Sequence, residues 1–215
     1  SVADEEFSEC RLKAAFLTGL PARFALIETM HASAEGCRHL ALHLERLRNS
    51  AAYFGFKFDE PALRAAIDAA CAALPAQQDA RLRLSLHHEG RVDLQTGVLA
   101  PLSEPVKLML AEHAVDSSDP FLRHKTTERS RYDAAWQEAE RNGAFDMLFF
   151  NERGELTEGA RSNVFLRLGG RWYTPPLAAG ALPGVMRAVL LADPAWNASE
   201  RVLTRADLLA AEQIV

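Results

Sequence analysis

Two helical segments between two strand-like segments are the feature that most restricts how this 215-residue chain can fold. The stretch "ALIETM" is strand-like, and the period then changes, because Leu40, Leu44 and Leu47 recur at helical spacing. "DEPALRAAIDAACAAL" is a second amphipathic helix with Asp59 as its expected cap, and "ARLRLSLHHEG" alternates leucines with polar residues. This order predicts an α+β unit whose helices cover one face of a sheet.

The second half of the chain begins near "DSSDP", residues 116–120. A helix, "TERSRYDAAWQEAERNG", is followed by the short strands "DMLFFN", "VFLRL" and "RWYT", and Pro183-Gly184 leads into another helix. "EPVKLMLAEHA" is interpreted as a strand of the first half, and "IV" as the start of a last strand. We predict an α/β protein of the α+β type in four parts: an N-terminal helix or remnant of a preceding domain (1–18), a smaller α+β domain (19–115), a linker (116–123) and a larger domain truncated at its C-terminus (124–215).

Composition excludes several classes of function. The net charge of −5 gives no reason to expect nucleic acid as a partner. No apolar run reaches about 18 residues, and the acidic start "SVADEEFSEC" does not resemble a signal peptide, so neither a membrane nor export is predicted. Cys10, Cys37 and Cys71 form no CxxC motif or disulfide framework, which favours the cytoplasm. The sequence also has no P-loop, GxGxxG, HExxH or GxSxG motif.

Lys125 is the only lysine after Lys107. An amine can lose its proton and act as a nucleophile, whereas a guanidinium stays protonated. Position alone favours a solvated lysine in a loop. His39 and His43, four apart on one helix, could bind a metal, but the sequence offers no nearby third ligand, so a surface pair is preferred and no metal is predicted.

Three further segments change the interpretation of Lys125. "ELTEGARSNVF" places Glu158 and Asn163 at a strand, and the helix that starts in "ALPGVMR" has free N–H groups that could hold a phosphate. Arg46 in "HLERLRNSA" could donate two hydrogen bonds to that phosphate. Each segment also has an ordinary structural explanation. Together they suit a ligand with an aldehyde, a phosphate and a basic nitrogen, and pyridoxal 5'-phosphate has all three.

From Ile27 to its end the chain resembles the fold-type IV pyridoxal-phosphate enzymes, which include branched-chain aminotransferases, D-amino acid aminotransferases and aminodeoxychorismate lyases. The marks are "HLERL", "KTTERSRYD", "TEGARSN" and "TPPLAAGALPGVMR", in the order the family has them. Lys125 precedes Glu158 by 33 positions, close to the family's separation of its Schiff-base lysine from its pyridine-binding glutamate. The resemblance implies a two-domain fold like that of D-amino acid aminotransferase, a cofactor in the interdomain cleft, and a homodimer.

The resemblance also implies a set of cofactor contacts: Lys125, Glu158, Arg46, Asn163, Val185 and Met186. Lys125 would bond to the cofactor aldehyde and later move protons, and Glu158 would pair with the pyridine nitrogen. Arg46 would bind the phosphate together with the N–H groups of Val185 and Met186. Asn163 would hold the loop or the surroundings of the ring hydroxyl.

For the small-molecule substrate, the predicted contacts are Thr29, Arg83, His88 and Arg91. "ALIETM" resembles the "FET" strand of aminodeoxychorismate lyases, and the spaced Arg and His of D-amino acid aminotransferases are not evident in "LHHEGRVDL". The prediction is therefore a lyase that converts 4-amino-4-deoxychorismate to 4-aminobenzoate and pyruvate. An aminotransferase of the same fold and a non-catalytic domain that keeps the fold are the alternatives.

The N-terminal and C-terminal segments lead to two further predictions. "DEEFSECRLKAAFL" resembles the closing helix of chorismate-binding synthase domains, so Glu6, Glu9 and Lys13 would be the remnant of a fused aminodeoxychorismate synthase component. An ordinary amphipathic helix is an equal alternative. Lyases of the family continue beyond the "EQIV" at which this sequence stops, which predicts a missing C-terminal segment.

Overall fold

The structure, a computed structural model, describes residues 24–99 and 101–215. The chain divides into two compact units. The first contains the described residues up to Leu102 together with Lys125–Glu128, and the second contains Ser103–His124 and Arg129–Val215. The predicted helix within residues 1–18 lies outside the described residues. Within the part that is described, none of the helices combines the length and the apolarity needed to cross a bilayer.

The first unit is one antiparallel sheet with two helices, which confirms the predicted α+β character. Its elements in chain order are β1 (Leu26–Ser33), β2 (Gly36–Cys37), α1 (Leu40–Phe54), α2 (Glu60–Ala72), β3 (Ala80–Leu86) and β4 (Val92–Val98). The strands are arranged in the order β2, β1, β3, β4. Both helices contact β1.

Alternation along the strands decides which face of this sheet the helices cover. The residues buried on that face include Leu26, Met30, Leu82, Leu84 and Leu86. Leu44 and Leu47 of α1 are equally buried, as helical spacing predicted. Gly55 ends α1 in the left-handed region at φ 72°. The Asp59 carboxylate caps α2 by accepting from the Ala62 N–H at 3.1 Å, so the predicted cap is confirmed.

The second unit contains two sheets and three helices. Its elements are β5 (Leu108–Leu110), α3 (Ser130–Arg141), β6 (Asp146–Phe150), β7 (Leu156–Gly159), β8 (Leu166–Leu168), β9 (Arg171–Thr174), α4 (Val185–Ala192), β10 (Ala198–Glu200), α5 (Arg205–Ala210) and β11 (Gln213–Ile214). One sheet has the order β5, β6, β7 and the other β10, β9, β8, β11. Short 3-10 helices lie at Pro120–Arg123 and Leu177–Ala179.

The strand β6 is apolar along almost its whole length because both of its faces are covered. Met147 and Phe149 pack in one cluster with Tyr132 of α3. Leu148 packs in another cluster with Leu156 and other residues around the second sheet. A strand buried on both sides cannot show the alternation of a half-exposed strand, and its sequence does not.

Several boundaries differ from the sequence-based expectation. β5 was assigned to the first half, but it pairs in parallel with β6 and so belongs to the second unit, as do residues 116–123, the predicted linker. Parallel pairing with a strand far along the chain leaves no local signal. β1 continues to Ser33, past the predicted strand-like stretch "ALIETM", and β2, β4 and β10 were not predicted.

The burial of the core in the first unit allows us to predict how substitutions change the free energy of unfolding. Leu84 is fully buried, so Leu84→Ala should lower the free energy of unfolding by about 2–5 kcal/mol, through lost burial and a residual cavity. Leu102→Ala is the matched control, because Leu102 is 52% exposed and its loss should change stability by no more than about 0.5 kcal/mol. Urea unfolding measures both. Equal effects of the two substitutions would contradict the assignment of Leu84 to the core.

Candidate functional site

Lys125 lies beside the first strand of the first unit. Its carbonyl oxygen accepts a hydrogen bond from the Ile27 N–H at 2.8 Å, and the Thr127 N–H donates to the Ala25 carbonyl at 2.9 Å. The Thr127 hydroxyl oxygen in turn accepts from the Ala25 N–H at 2.9 Å. Residues 125–127 therefore follow β1 as a strand-like edge, and the backbone of the lysine is fixed to the sheet.

The pairing register decides which face of the sheet Lys125 occupies. Thr126 is 2% exposed and bridges Leu26, whose side chain lies on the helix-covered face. Because neighbours along an extended chain point to opposite faces, Lys125 lies on the other face, hereafter the polar face. Ser85 of β3 and its partner Asp93 of β4 lie on the polar face as well.

Two of the four predicted substrate contacts share the polar face with Lys125, and the other two contact neighbouring side chains of the first unit. Thr29 and Arg83 are cross-strand partners there. The ring of His88 instead packs against the buried Phe56, with ring centroids 5.1 Å apart. The guanidinium of Arg91 donates to the Asp93 carboxylate at 2.6 Å. The substrate roles of all four residues remain predictions.

A cavity of about 300 Å³ in the first unit adds residues that the sequence analysis missed. Its lining includes Ser85, His87, Asp93, Gln95 and Thr127. His87 Nε2 lies 2.7 Å from Asp93 Oδ2, and this hydrogen bond, followed by those from Arg91, holds the pKa of Asp93 below its usual value. The signal lay in the alternation of β3, which places Ser85 and His87 opposite the buried leucines.

Glu28 is a carboxylate on the apolar, helix-covered face of β1, and it is only 2% exposed. Its Oε1 accepts from Arg46 Nε at 2.8 Å, and its Oε2 accepts from Arg46 Nη2 at 2.5 Å. Its Oε2 also lies 2.7 Å from Nδ1 of the buried His43. Arg46 and His43 are one turn apart on α1 and close on the same carboxylate. The structure therefore places Arg46, the predicted phosphate ligand, in a buried ion pair.

The electrostatics of this group follow from its burial. Desolvation alone raises the pKa of Glu28, but hydrogen bonds from His43 and Arg46 outweigh it, so the pKa is lowered overall. His39 and His43 were expected to form a surface pair, and this is wrong for His43, which is buried because its ring faces Glu28. His39 caps α1 in the left-handed region and is exposed. Among the described residues, no three His, Cys, Asp or Glu side chains are grouped to hold a metal ion. The signal in the sequence was the position of Glu28, which strand alternation places on the same face as the buried Leu26 and Met30.

In the second unit the structure brings Glu158, Asn163 and the loop before α4 together. Glu158 is 7% exposed, and its Oε2 accepts from the Leu182 N–H at 3.0 Å and from Asn163 Nδ2 at 3.3 Å. Asn163 Nδ2 also donates to the Leu182 carbonyl at 3.0 Å. The carboxylate on β7 and the amide that follows it thus hold one residue of the loop at two points.

The helix α4 begins at Val185, three residues after this contact. Gly184 is the N-cap and no side chain caps the helix there, so the first N–H groups, including those of Val185 and Met186, receive no side-chain cap. A side-chain carbon at Gly184 would overlap the Asn163 amide oxygen, so only glycine permits this close approach. Arg187 anchors the helix through hydrogen bonds to the Pro175 carbonyl and to Glu200.

Tyr132 of α3 is a further buried polar group near Glu158 that sequence analysis did not single out. It is 9% exposed, and its hydroxyl lies close enough to the Glu158 carboxylate to interact with it. Burial, and then the charge of Glu158, raises its pKa. The hydroxyl therefore stays protonated beside the carboxylate.

The Glu28 group predicts a specific response to acid. The pKa of Glu28 is lower in the folded protein than the value of about 4.3 in the unfolded chain, so its stabilisation is present above that pH and is lost as the pH falls through the folded value. Glu28→Gln should lower the free energy of unfolding at pH 7 by about 3–5 kcal/mol, because it removes the buried carboxylate that pairs with Arg46. It should also flatten the loss of stability between about pH 5 and pH 3.

Urea unfolding of both proteins across this pH range measures the effect. Equal pH slopes for the wild type and Glu28→Gln would contradict the assignment of the acid response to Glu28.

Comparison with protein families gives a match over nearly all of the described residues. The profile described as amino-transferase class IV matches residues 25–215. A protein of Schizosaccharomyces pombe, provisionally named aminodeoxychorismate lyase, is 28% identical over 79% of this chain and 74% of its own length. A Thermotoga maritima protein, provisionally named branched-chain-amino-acid aminotransferase, is 30% identical over 67% of this chain, but the match spans only 54% of that relative.

Solved structures give the same fold. A provisionally assigned amino-acid aminotransferase from Mesorhizobium loti superposes with a TM-score of 0.80 at 36% identity, covering 89% of this chain and 92% of its own. A provisionally assigned 4-amino-4-deoxychorismate lyase from Legionella pneumophila superposes with a TM-score of 0.76 at 25% identity, covering 88% of this chain and 77% of its own. The predicted fold class is confirmed.

Proposed function

The chain belongs to the class IV aminotransferase family, and from this premise we propose that it binds pyridoxal 5'-phosphate and uses Lys125 as its reactive amine. The observation that supports this most directly is the placement of Lys125. Its backbone is hydrogen-bonded to β1 and its side chain is half-buried on the polar face of the sheet. A solvated loop lysine, the alternative from position alone, would have no reason to be fixed in this way.

The other residues fit the remaining parts of the cofactor. The buried carboxylate of Glu158, held by two N–H donors, suits a protonated ring nitrogen. The uncapped N–H groups of Val185 and Met186 suit a phosphate at the positive end of α4. We assign Arg46 to the same phosphate, and Asn163 to holding the loop at Leu182.

These residues carry the proposed mechanism. Bound pyridoxal phosphate supplies an electron-withdrawing ring that makes the proton on the amine-bearing carbon acidic. Lys125 Nζ removes that proton as a general base. The Glu158 carboxylate would stabilise the positive charge of the protonated ring nitrogen. Thr29 and Arg83 on the polar face would orient the substrate.

We further propose that the substrate is 4-amino-4-deoxychorismate and that the protein is a lyase. Loss of the proton and expulsion of the neighbouring enolpyruvyl group then leave 4-aminobenzoate and pyruvate, and the gain of aromaticity drives the reaction. The similarity to the S. pombe and L. pneumophila proteins supports this assignment. Homodimerisation and association with a synthase component stay predictions from the family resemblance.

An aminotransferase is the second candidate, and the 36% identity to the M. loti protein favours it. It would use the same lysine and glutamate but would deliver the amino group to a 2-oxo acid. A domain that keeps the fold without catalysis is the remaining alternative, and it would show no dependence on Lys125.

Covalent trapping tests the assignment of Lys125. Borohydride reduction of the protein loaded with pyridoxal phosphate should fix the label on one peptide, the one that contains Lys125, as mass spectrometry would show. Lys125→Ala should abolish labelling and activity, whereas Lys107→Ala should preserve both, because Lys107 is an exposed lysine whose amine bonds the Asn142 carbonyl. A label on another lysine would overturn the site assignment.

Product analysis separates the two enzyme candidates. Incubation with 4-amino-4-deoxychorismate should yield 4-aminobenzoate and pyruvate in equal amounts, detected by fluorescence and by a coupled dehydrogenase. A panel of L- and D-amino acids with 2-oxoglutarate should yield no glutamate above that of Lys125→Ala. Turnover in the second assay alone would replace the lyase assignment with the aminotransferase one.

A further inference from the structure

Arg46 donates to Glu28 along one edge of its guanidinium. Nε and Nη2 donate to the two oxygens of Glu28, which is the two-point contact that fixes a guanidinium in its plane. Because the carboxylate occupies the edge between Nε and Nη2, the edge formed by Nη1 and the outer hydrogen of Nη2 faces away from Glu28. The direction of that second edge is therefore set by the carboxylate.

The carboxylate itself is held by a third group. Glu28 is on β1, in the centre of a paired strand, and His43 Nδ1 lies 2.7 Å from the same oxygen that accepts from Arg46 Nη2. His43 and Arg46 both lie on α1, so the three side chains join one strand to one helix. All three are largely buried, with side-chain exposures of 2% for Glu28, 10% for His43 and 11% for Arg46.

Burying this group would be hard to explain by stability alone. A buried ion pair costs desolvation that its attraction repays only in part, and apolar side chains of similar size often stabilise equally well. The sheet face around Glu28 consists of leucines and methionine, so an apolar residue in its place would continue the core. We therefore expect the buried ion pair to have a second role, which is to orient one of its two side chains.

We propose that Glu28 is a positioning residue that fixes the guanidinium of Arg46 for a phosphate monoester, with His43 holding the carboxylate in turn. The inference rests on the proposed cofactor and deepens it, since it says what sets the phosphate contact. Glu28 touches neither the cofactor nor the substrate in this role. Glu28 acts through Arg46, and it affects the affinity only for ligands that have a phosphate.

The test compares two ligands that differ only in the phosphate. The affinities of the apoprotein for pyridoxal 5'-phosphate and for pyridoxal are measured by quenching of intrinsic fluorescence. Glu28→Gln should weaken binding of pyridoxal phosphate about tenfold and leave that of pyridoxal unchanged, a coupling of ordinary size for groups in contact. Glu60→Gln is the matched control, because Glu60 also pairs with two arginines but lies elsewhere on the first unit, and it should change neither affinity.

Two more variants keep the test decisive. Glu28→Asp retains the buried charge but moves it back along the side chain, so it should fold and still reduce the preference for the phosphate. In an Arg46→Gln background, Glu28→Gln should cause no further loss, because the residue through which it acts is gone, and this double variant leaves neither charge unpaired. An unchanged preference in Glu28→Asp, equal losses for both ligands, or the same loss without Arg46 would overturn the proposal.

The outcome for the wild type separates this inference from the proposed function. Wild-type protein that binds neither ligand, or binds both equally, would refute the cofactor assignment itself. Wild-type protein that prefers pyridoxal phosphate, with variants that keep the full preference, would refute only the role of Glu28.

Discussion

The carboxylate of Glu158 accepts hydrogen bonds from the Leu182 N–H and the Asn163 amide, and the geometry around the start of α4 depends on this contact. A carboxylate buried in a sheet must be paired or hydrogen-bonded, or it loses its charge. One of its donors, the Leu182 N–H, belongs to the loop before α4, so this contact fixes the loop to β7. Gly184 is then required where the loop passes Asn163, and the helix begins at the next residue.

The same requirement is met differently in the first unit. Glu28 lies on the helix-covered face of β1, where its neighbours are leucines, and α1 turns both His43 and Arg46 toward it. The pairing lowers the pKa of Glu28 in spite of burial and ties the helix to the sheet. One glutamate in each unit thus fixes another segment of its own unit: α1 through Arg46 in the first, and the loop before α4 through Leu182 in the second.

The residues that we propose to contact the substrate lie on the polar face of the first sheet. Lys125 lies along β1, Thr29 and Arg83 pair across the strands, and His87 and Asp93 line a cavity on the same unit. Cross-strand register brings these residues together although they are distant in sequence. Lyase and aminotransferase would share this arrangement, which is why products, and not the fold, distinguish them.

The sequence by itself determined the elements whose signals are local. Helical spacing predicted α1 and α2, Asp59 marked the start of α2, and alternation predicted β3, because these patterns depend only on neighbours along the chain. The order of "HLERL", "KTTERSRYD" and "TEGARSN" also identified the family. These inferences need no knowledge of what packs against each segment.

Only the tertiary structure decided the contacts between distant residues. β5 joins β6, and not the strands that precede it, because parallel pairing is selected by packing across the sheet. The thiols of Cys37 and Cys71 meet at 3.6 Å, where burial raises the pKa of Cys37 to about 12, although their spacing suggested no pair. Arg46 could be assigned a phosphate from its motif, but its partner Glu28 became visible only when β1 and α1 packed together. The local sequence pattern predicts on which face of a helix or strand a side chain lies, but tertiary packing determines which residues contact that face.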